Sequence, residues 1–172
     1  MSLDLYIKSN TPMQHKGTGV YIRENGETKE LVTKEEVMKH FPNVNPDDIQ
    51  ENIYETHTYF HTNITHNLTE MADRCKVKGH LKPHGIEMRV SLYDLMWHPD
   101  EMLGIETPTK EYLEDLEKCY HYLISDPGYF KRFNPDNGWG SYEGLRAKTK
   151  EFIDGLHSIS LEFENYKIVS ST

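Results

Sequence analysis

Alternation of apolar and polar positions marks the candidate strands. Leu3, Leu5 and Ile7 interleave with Asp4, Tyr6 and Lys8, the period of a half-buried strand that starts almost at Met1. A loop containing Pro12 and Gly17 is expected after it. The runs Val20–Glu24 and Glu27–Leu31 flank Asn25-Gly26, a pair suited to the positive φ angles of a type I′ turn, and predict a hairpin. Residues 53–62 are β-branched or aromatic at seven of ten positions, which favours a strand. Ile159, Leu161 and Phe163 alternate with Ser160, Glu162 and Glu164 and predict a closing strand that continues weakly through Tyr166 and Ile168.

Helical spacing is clearest in Tyr112, Leu113, Leu116, Tyr120 and Leu123, opened by Thr107-Pro108 and stopped at Asp126-Pro127. A turn at Tyr129, Phe130 and Phe133 follows, then a loop, then a helix over 141–156 that buries Tyr142, Leu145, Phe152 and Ile153, with Gly155 and Ser158 at its exit. Thr33 with Glu36 forms a capping box for a short helix ending near Phe41, and Asn45-Pro46 opens another helical turn. Asn67 with Glu70 offers a further capping box for a helix through Met71, Ala72 and Cys75. Residues 76–86, with Gly79, Pro83 and Gly85, read as a loop, and 86–97 holds a short strand or a helical turn.

The expected architecture is a single α+β domain over 1–172. Strands beginning at Leu3, Val20, Ile53 and Ile159 form a mainly antiparallel sheet, with the two principal helices at Pro108 and Tyr142 packed on one face. Residues 11–52, the hairpin and short helix, form an insertion-like excursion.

Composition narrows the function classes. A chain of 172 residues suits one domain. Its mean hydropathy is low at -0.74, but eleven Tyr, six Phe and two Trp supply large core side chains and argue against disorder. With 28 acidic and 19 basic residues the formal charge is -9, which disfavours a nucleic-acid or anionic-membrane partner. Cys75 and Cys119 are too few for a disulfide framework. No leader-like or membrane-length apolar run is present, so a cytoplasmic location is expected.

The densest polar chemistry lies in Tyr59-Phe-His-Thr-Asn-Ile-Thr-His-Asn-Leu-Thr-Glu-Met71, where a strand gives way to a helix. His57 and His61 on a strand would sit roughly 13 Å apart, too far to share a metal ion. No metal site and no cofactor are expected. His61, Asn63, His66 and Asn67 are different, because the turn can gather them. Each combines donor and acceptor groups, the inventory that reads a base edge, a sugar or an amide. In the competing view Asn63 or Asn67 only caps the helix and His66 satisfies buried backbone.

Cys75, His80, His84, Cys119 and His121 have zinc-type donors, but their spacing matches no closed site. In Phe133-Asn-Pro-Asp-Asn-Gly-Trp-Gly-Ser-Tyr-Glu-Gly144, Asn137, Gly138, Trp139, Gly140 and Tyr142 combine close backbone approach, a flat apolar face and free helix amides. Glu143 stands in the first helical turn, where a carboxylate is favourably placed. The acidic runs Asp47-Asp48, 111–117 and 162–164 read as solvated faces. No nucleophile elbow, phosphate-binding loop, His-Glu-x-x-His or dinucleotide fingerprint occurs.

With its Asn63-Ile-Thr-His-Asn67 and Asn137-Gly-Trp-Gly-Ser-Tyr-Glu143 segments and its Met-Ser-Leu-Asp opening, the chain resembles a family of small phage- and prophage-encoded proteins. Those proteins share an Asn-x-Thr-His-Asn motif, an Asn-Gly-Trp-Gly-x-Tyr-Glu motif and an acidic closing strand. The resemblance implies a phage-type product in a bacterial cytoplasm, with the two motif loops as the place to look for function. Three readings follow. The first is a pocket where the two bends converge, binding a small polar molecule, with a nucleotide-like one fitting, and sequestering a host signal. The alternative is an acidic interaction module acting on a host or phage protein. The third is a hydrolase with His61 or His66 as general base and Glu143 as acid.

Overall fold

The computed structural model describes every residue except 16, 52 and 84–88, and every side chain except those and the side chains of 12–15 and 53–56. The chain divides into two compact units, one of residues 1–10 and 58–172, the other of residues 11–57. The class is α+β.

β1 (Ser2–His15) is the middle strand of a three-stranded sheet, between β4 (Ile53–Thr65) and β7 (Tyr166–Ser171). β1 and β7 are antiparallel, with Ile7 opposite Ile168 and Tyr6 opposite Val169. The predicted alternation sorts the faces. Leu3, Leu5 and Ile7 are fully buried, and Ile64 and Ile168 join them. Strand β1 continues through His15, past the loop expected at Pro12.

Two helices cover the buried face. α5 (Lys110–Ser125) is capped by Thr109, whose hydroxyl accepts from the Tyr112 amide, and buries Tyr112, Leu113, Leu116, Cys119 and Leu123. α7 (Tyr142–Ser158) is capped by Ser141 and carries Gly155 inside the helix rather than at its exit. A Cβ at Gly155 would sit 3.4 Å from both Ile7 and Phe60, so the glycine lets the helix lie close on the sheet. Phe60 and Phe152 complete that contact, with ring centroids 5.8 Å apart.

The closing strand begins later than its alternation suggested. The amides of Ser160, Glu162 and Asn165 each bond back three residues, to His157, Ile159 and Glu162, so consecutive turns occupy 159–165. Leu161 is therefore 94% exposed, and β7 starts at Tyr166.

Between β4 and α5 the chain makes short elements. A 3-10 turn over His66–Leu68 leads into α2 (Thr69–Arg74). β5 (Lys76–Val77), inside the segment expected to be loop, pairs with β6 (Val90–Ser91), inside the segment expected to hold a short strand or a helical turn. Ser91 and Asp94 form a reciprocal capping box for α3 (Leu92–Met96). α4 (Pro99–Leu103) has Pro at its first position and ends on Gly104 at φ 65°. α6 (Pro127–Lys131) is the expected aromatic turn after α5.

The second unit contains the hairpin β2 (Val20–Glu24) and β3 (Glu27–Leu31), with Asn25 at φ 52° and Gly26 at φ 83° as a type I′ turn requires. β2 pairs with β3 in a sheet of two strands, not with the sheet of the first unit as expected. α1 (Lys34–His40) is capped by Thr33, and a 3-10 turn follows Asn45 over Pro46–Asp48. Leu31, Val37 and Ile49 make a small core with Val20 and Ile22.

Candidate functional site

Strand alternation brings two of the residues expected to converge, His61 and Asn63, onto one face of the sheet. Thr62 and Ile64 point into the core, so His61 and Asn63 lie on the outer face of the sheet. There they meet Asp4 of β1. Asn63 Nδ2 donates to Ser2 Oγ and Asp4 Oδ1, both at 2.9 Å, and His61 Nε2 lies 2.9 Å from the same Asp4 oxygen. The His61 ring stacks on Tyr6 with centroids 4.5 Å apart. The Asn63 amide, and after it His61, holds the Asp4 carboxyl below its ordinary value. Asp4 thus gives His61 an orienting partner that sequence alone did not reveal.

After the corner, the Thr65 hydroxyl accepts from the Asn67 amide. Thr65 caps the 3-10 turn, while α2, which begins at Thr69 after Leu68, has no side-chain cap in place of the one expected from Asn67. His66 is half-buried, its amide donating to the Met1 carbonyl at 3.4 Å, and Asn67 is exposed.

The Trp-Gly bend does reach this corner. Gly140 adopts φ 101° and lies against Thr65 and Leu68, where an added Cβ would approach to 2.7 Å and 3.0 Å. The contact is close packing. Asn137 Oδ1 accepts from the Trp139 amide at 2.9 Å and shapes the turn, with Gly138 at φ 73°. Trp139 is 71% exposed.

Tyr142 is not a ligand group: its side chain is buried, and its hydroxyl donates to the Leu123 carbonyl at 3.0 Å. Glu143 does not suit an acid. Its own backbone amide, and then Lys131 at 3.0 Å, hold its carboxyl below the usual range, which leaves it ionised near neutrality.

Of the described zinc-type donors, Cys75 and Cys119 meet, while His80 and His121 have partners elsewhere. The Cys75 thiol donates to the Cys119 carbonyl at 3.1 Å, and the Cys119 thiol faces the Cys75 and Val90 carbonyls. His80 pairs with Glu114 at 2.7 Å, and His121 packs near Tyr120. His84 lies outside the described residues. Among the described residues, no three His, Cys, Asp or Glu side chains are placed to hold a metal ion.

Within the acidic run of α5, Asp115 is no solvated side chain. It is fully buried, and its two oxygens accept from the amides of His80 and Leu81, each at 2.8 Å. Gly79 makes room for it, since a Cβ there would fall 2.4 Å from Asp115 Oδ1.

Two hollows adjoin α2, and they share Asp73. The first, of about 290 Å3, is walled by Thr69, Glu70, Asp73 and Tyr93. The second, also about 290 Å3, is walled by Asp73, Arg74, Lys76, Arg89, Tyr122 and Tyr129. Three cations and two phenols thus surround one cavity of a chain whose formal charge is -9. Arg74 pairs with Glu70 at 3.5 Å and lies over Phe133, and Lys76 pairs with Asp73 at 3.3 Å. These pairs are exposed and therefore weak, on the order of 0–1 kcal/mol each. A sequence signal existed, because Arg74, Lys76, Lys78, Lys82 and Arg89 reverse the prevailing sign of charge over a short stretch.

Compared with known proteins, the chain matches no family model, no curated protein and no solved structure. Among the described residues, no helix is long and apolar enough to cross a membrane.

Proposed function

We propose that this protein binds a small phosphorylated, nucleotide-like molecule along α2. The observation that carries this reading is the hollow in which Arg74, Lys76 and Arg89 stand around Tyr122 and Tyr129. Guanidinium and ammonium groups are natural partners of phosphate oxygens, and phenol rings add flat apolar faces and hydroxyls. The overall negative charge repels anions at long range, so affinity comes from contacts inside the hollow. A phosphate that replaces the Glu70 and Asp73 carboxylates at Arg74 and Lys76 gives up only weak surface pairs. The resemblance to phage-encoded proteins adds a biological reading: the ligand is a host signal withdrawn by sequestration.

Isothermal titration with adenosine 5′-monophosphate as probe tests this. Binding should weaken as salt is raised. A double variant, Arg74→Ala with Arg89→Ala, should bind at least about 100-fold more weakly, since each charge-assisted hydrogen bond is worth about 1.5–3 kcal/mol. Absence of binding, or equal affinity in the double variant, would contradict the proposal.

A second reading, a docking module for a host or phage protein, is favoured by exposed apolar side chains in the second unit. Met38, Phe41 and Val44 are exposed in succession, and the Val44 amide turns back to the Phe41 carbonyl. Replacing Met38 and Phe41 by serine should leave nucleotide affinity intact and abolish co-purification of a defined partner.

A further inference from the structure

The hollow between α2 and α3 differs in polarity from the basic one beside it. Its walls are Thr69, Glu70, Asp73 and Tyr93. Behind Tyr93 stands a relay: its hydroxyl is 3.0 Å from His98 Nε2, and His98 Nδ1 is 3.3 Å from Glu101 Oε2. The Tyr93 hydroxyl and His98 Nε2 share one hydrogen bond, in which either can donate. The Glu70 and Asp73 carboxylates beside it make this wall chiefly an acceptor of hydrogen bonds.

Such a wall repels a phosphate and welcomes a group that donates. One helical turn further along α2, from Glu70 to Arg74, the cations begin, a rise of about 6 Å. Asp73 belongs to both cavities. A ligand that fills both has an anionic end and, a short span away, a cluster of hydroxyl or amine donors. A vicinal diol suits a carboxylate well, because its two O–H groups can donate to the two oxygens of one carboxylate. Resting on the phosphate reading above, we infer that the ligand is a ribonucleotide, its phosphate held by Arg74, Lys76 and Arg89 and its ribose 2′,3′-diol held by Glu70, Asp73 and Tyr93. Sugar recognition then lies with the acceptor hollow, and phosphate affinity lies with the basic one.

Titration of the whole chain with adenosine 5′-monophosphate and its 2′-deoxy and 3′-deoxy analogues at one salt concentration separates the two claims. The ribonucleotide should bind at least tenfold more tightly than either deoxy form. Glu70→Gln, at an exposed side chain, and Tyr93→Phe, checked for an unchanged circular-dichroism spectrum and melting temperature, should each shrink that ratio. Equal affinity for all three nucleotides would overturn the diol inference and leave the phosphate reading standing, as would a ribose preference that survives both variants. Failure of all three to bind would overturn both.

Discussion

Asp115 offers the sharpest test of how this structure is held together. Its carboxylate is fully buried and accepts from the amides of His80 and Leu81, both at 2.8 Å, pinning that loop to α5. Asp115→Ala strands two part-buried amides. Bonds of an amide to a charged acceptor contribute about 1.5–3 kcal/mol each, so the expected loss is about 3–6 kcal/mol. A chain of this size melts roughly 2–4 °C lower per kcal/mol, which puts the fall at about 6–24 °C.

Gly79 supplies the internal control. A Cβ there would lie 2.4 Å from Asp115 Oδ1, so Gly79→Ala alone should also destabilise. Once the carboxylate is gone that Cβ has room, and the two costs should be strongly non-additive. Urea unfolding followed by fluorescence of the buried Trp97 reads all four proteins of the cycle. A loss below about 1 kcal/mol for Asp115→Ala, or simple additivity in the double variant, would refute the reasoning.

Three further outcomes are expected. Gly140→Ala combines a left-handed φ with a clash against Thr65 and Leu68, and should cost about 2–4 kcal/mol by thermal or chemical unfolding. Asp4 should titrate below the ordinary aspartate range in a carboxyl NMR experiment, and Asn63→Ala should move it back up. Because the folded-state value is the lower one, this stabilisation is present above the ordinary aspartate value and is lost as pH falls through the lowered value. Both thiols should resist an aromatic disulfide reagent until the chain unfolds: they are buried, and the Cys75 thiol and desolvation push the Cys119 thiol far above its usual value. Rapid labelling of the folded protein would contradict that.

The periodic signals were legible where tertiary structure left them unopposed. Leu3, Leu5 and Ile7 could form only a half-buried strand, and the Asn25-Gly26 pair fixed the hairpin turn. Residues 159–163 misled because alternation also fits a chain of turns, and Leu161 had no core to enter once Ile159 had closed α7. Asp115 was unreadable because its partners, the His80 and Leu81 amides, lie more than thirty residues away and carry no side-chain signature. The two bends were expected to enclose a shared hollow, and at Gly140 the structure shows close packing. Gly140 uses its missing side chain to pack against Thr65 and Leu68, while Tyr142 turns inward to Leu123. The capping signals at Ser91 and Asp94, and Pro99 with Gly104, were present in the sequence and would have placed α3 and α4.

The central claim concerns where a phosphorylated ligand sits, and a crystal structure with adenosine 5′-monophosphate addresses it directly. The account predicts phosphate oxygens within hydrogen-bonding distance of Arg74 and Arg89, with the ribose hydroxyls against Glu70 and Tyr93. A nucleotide bound instead beside His66 and Trp139, or density nowhere on α2 under saturating ligand, would contradict it.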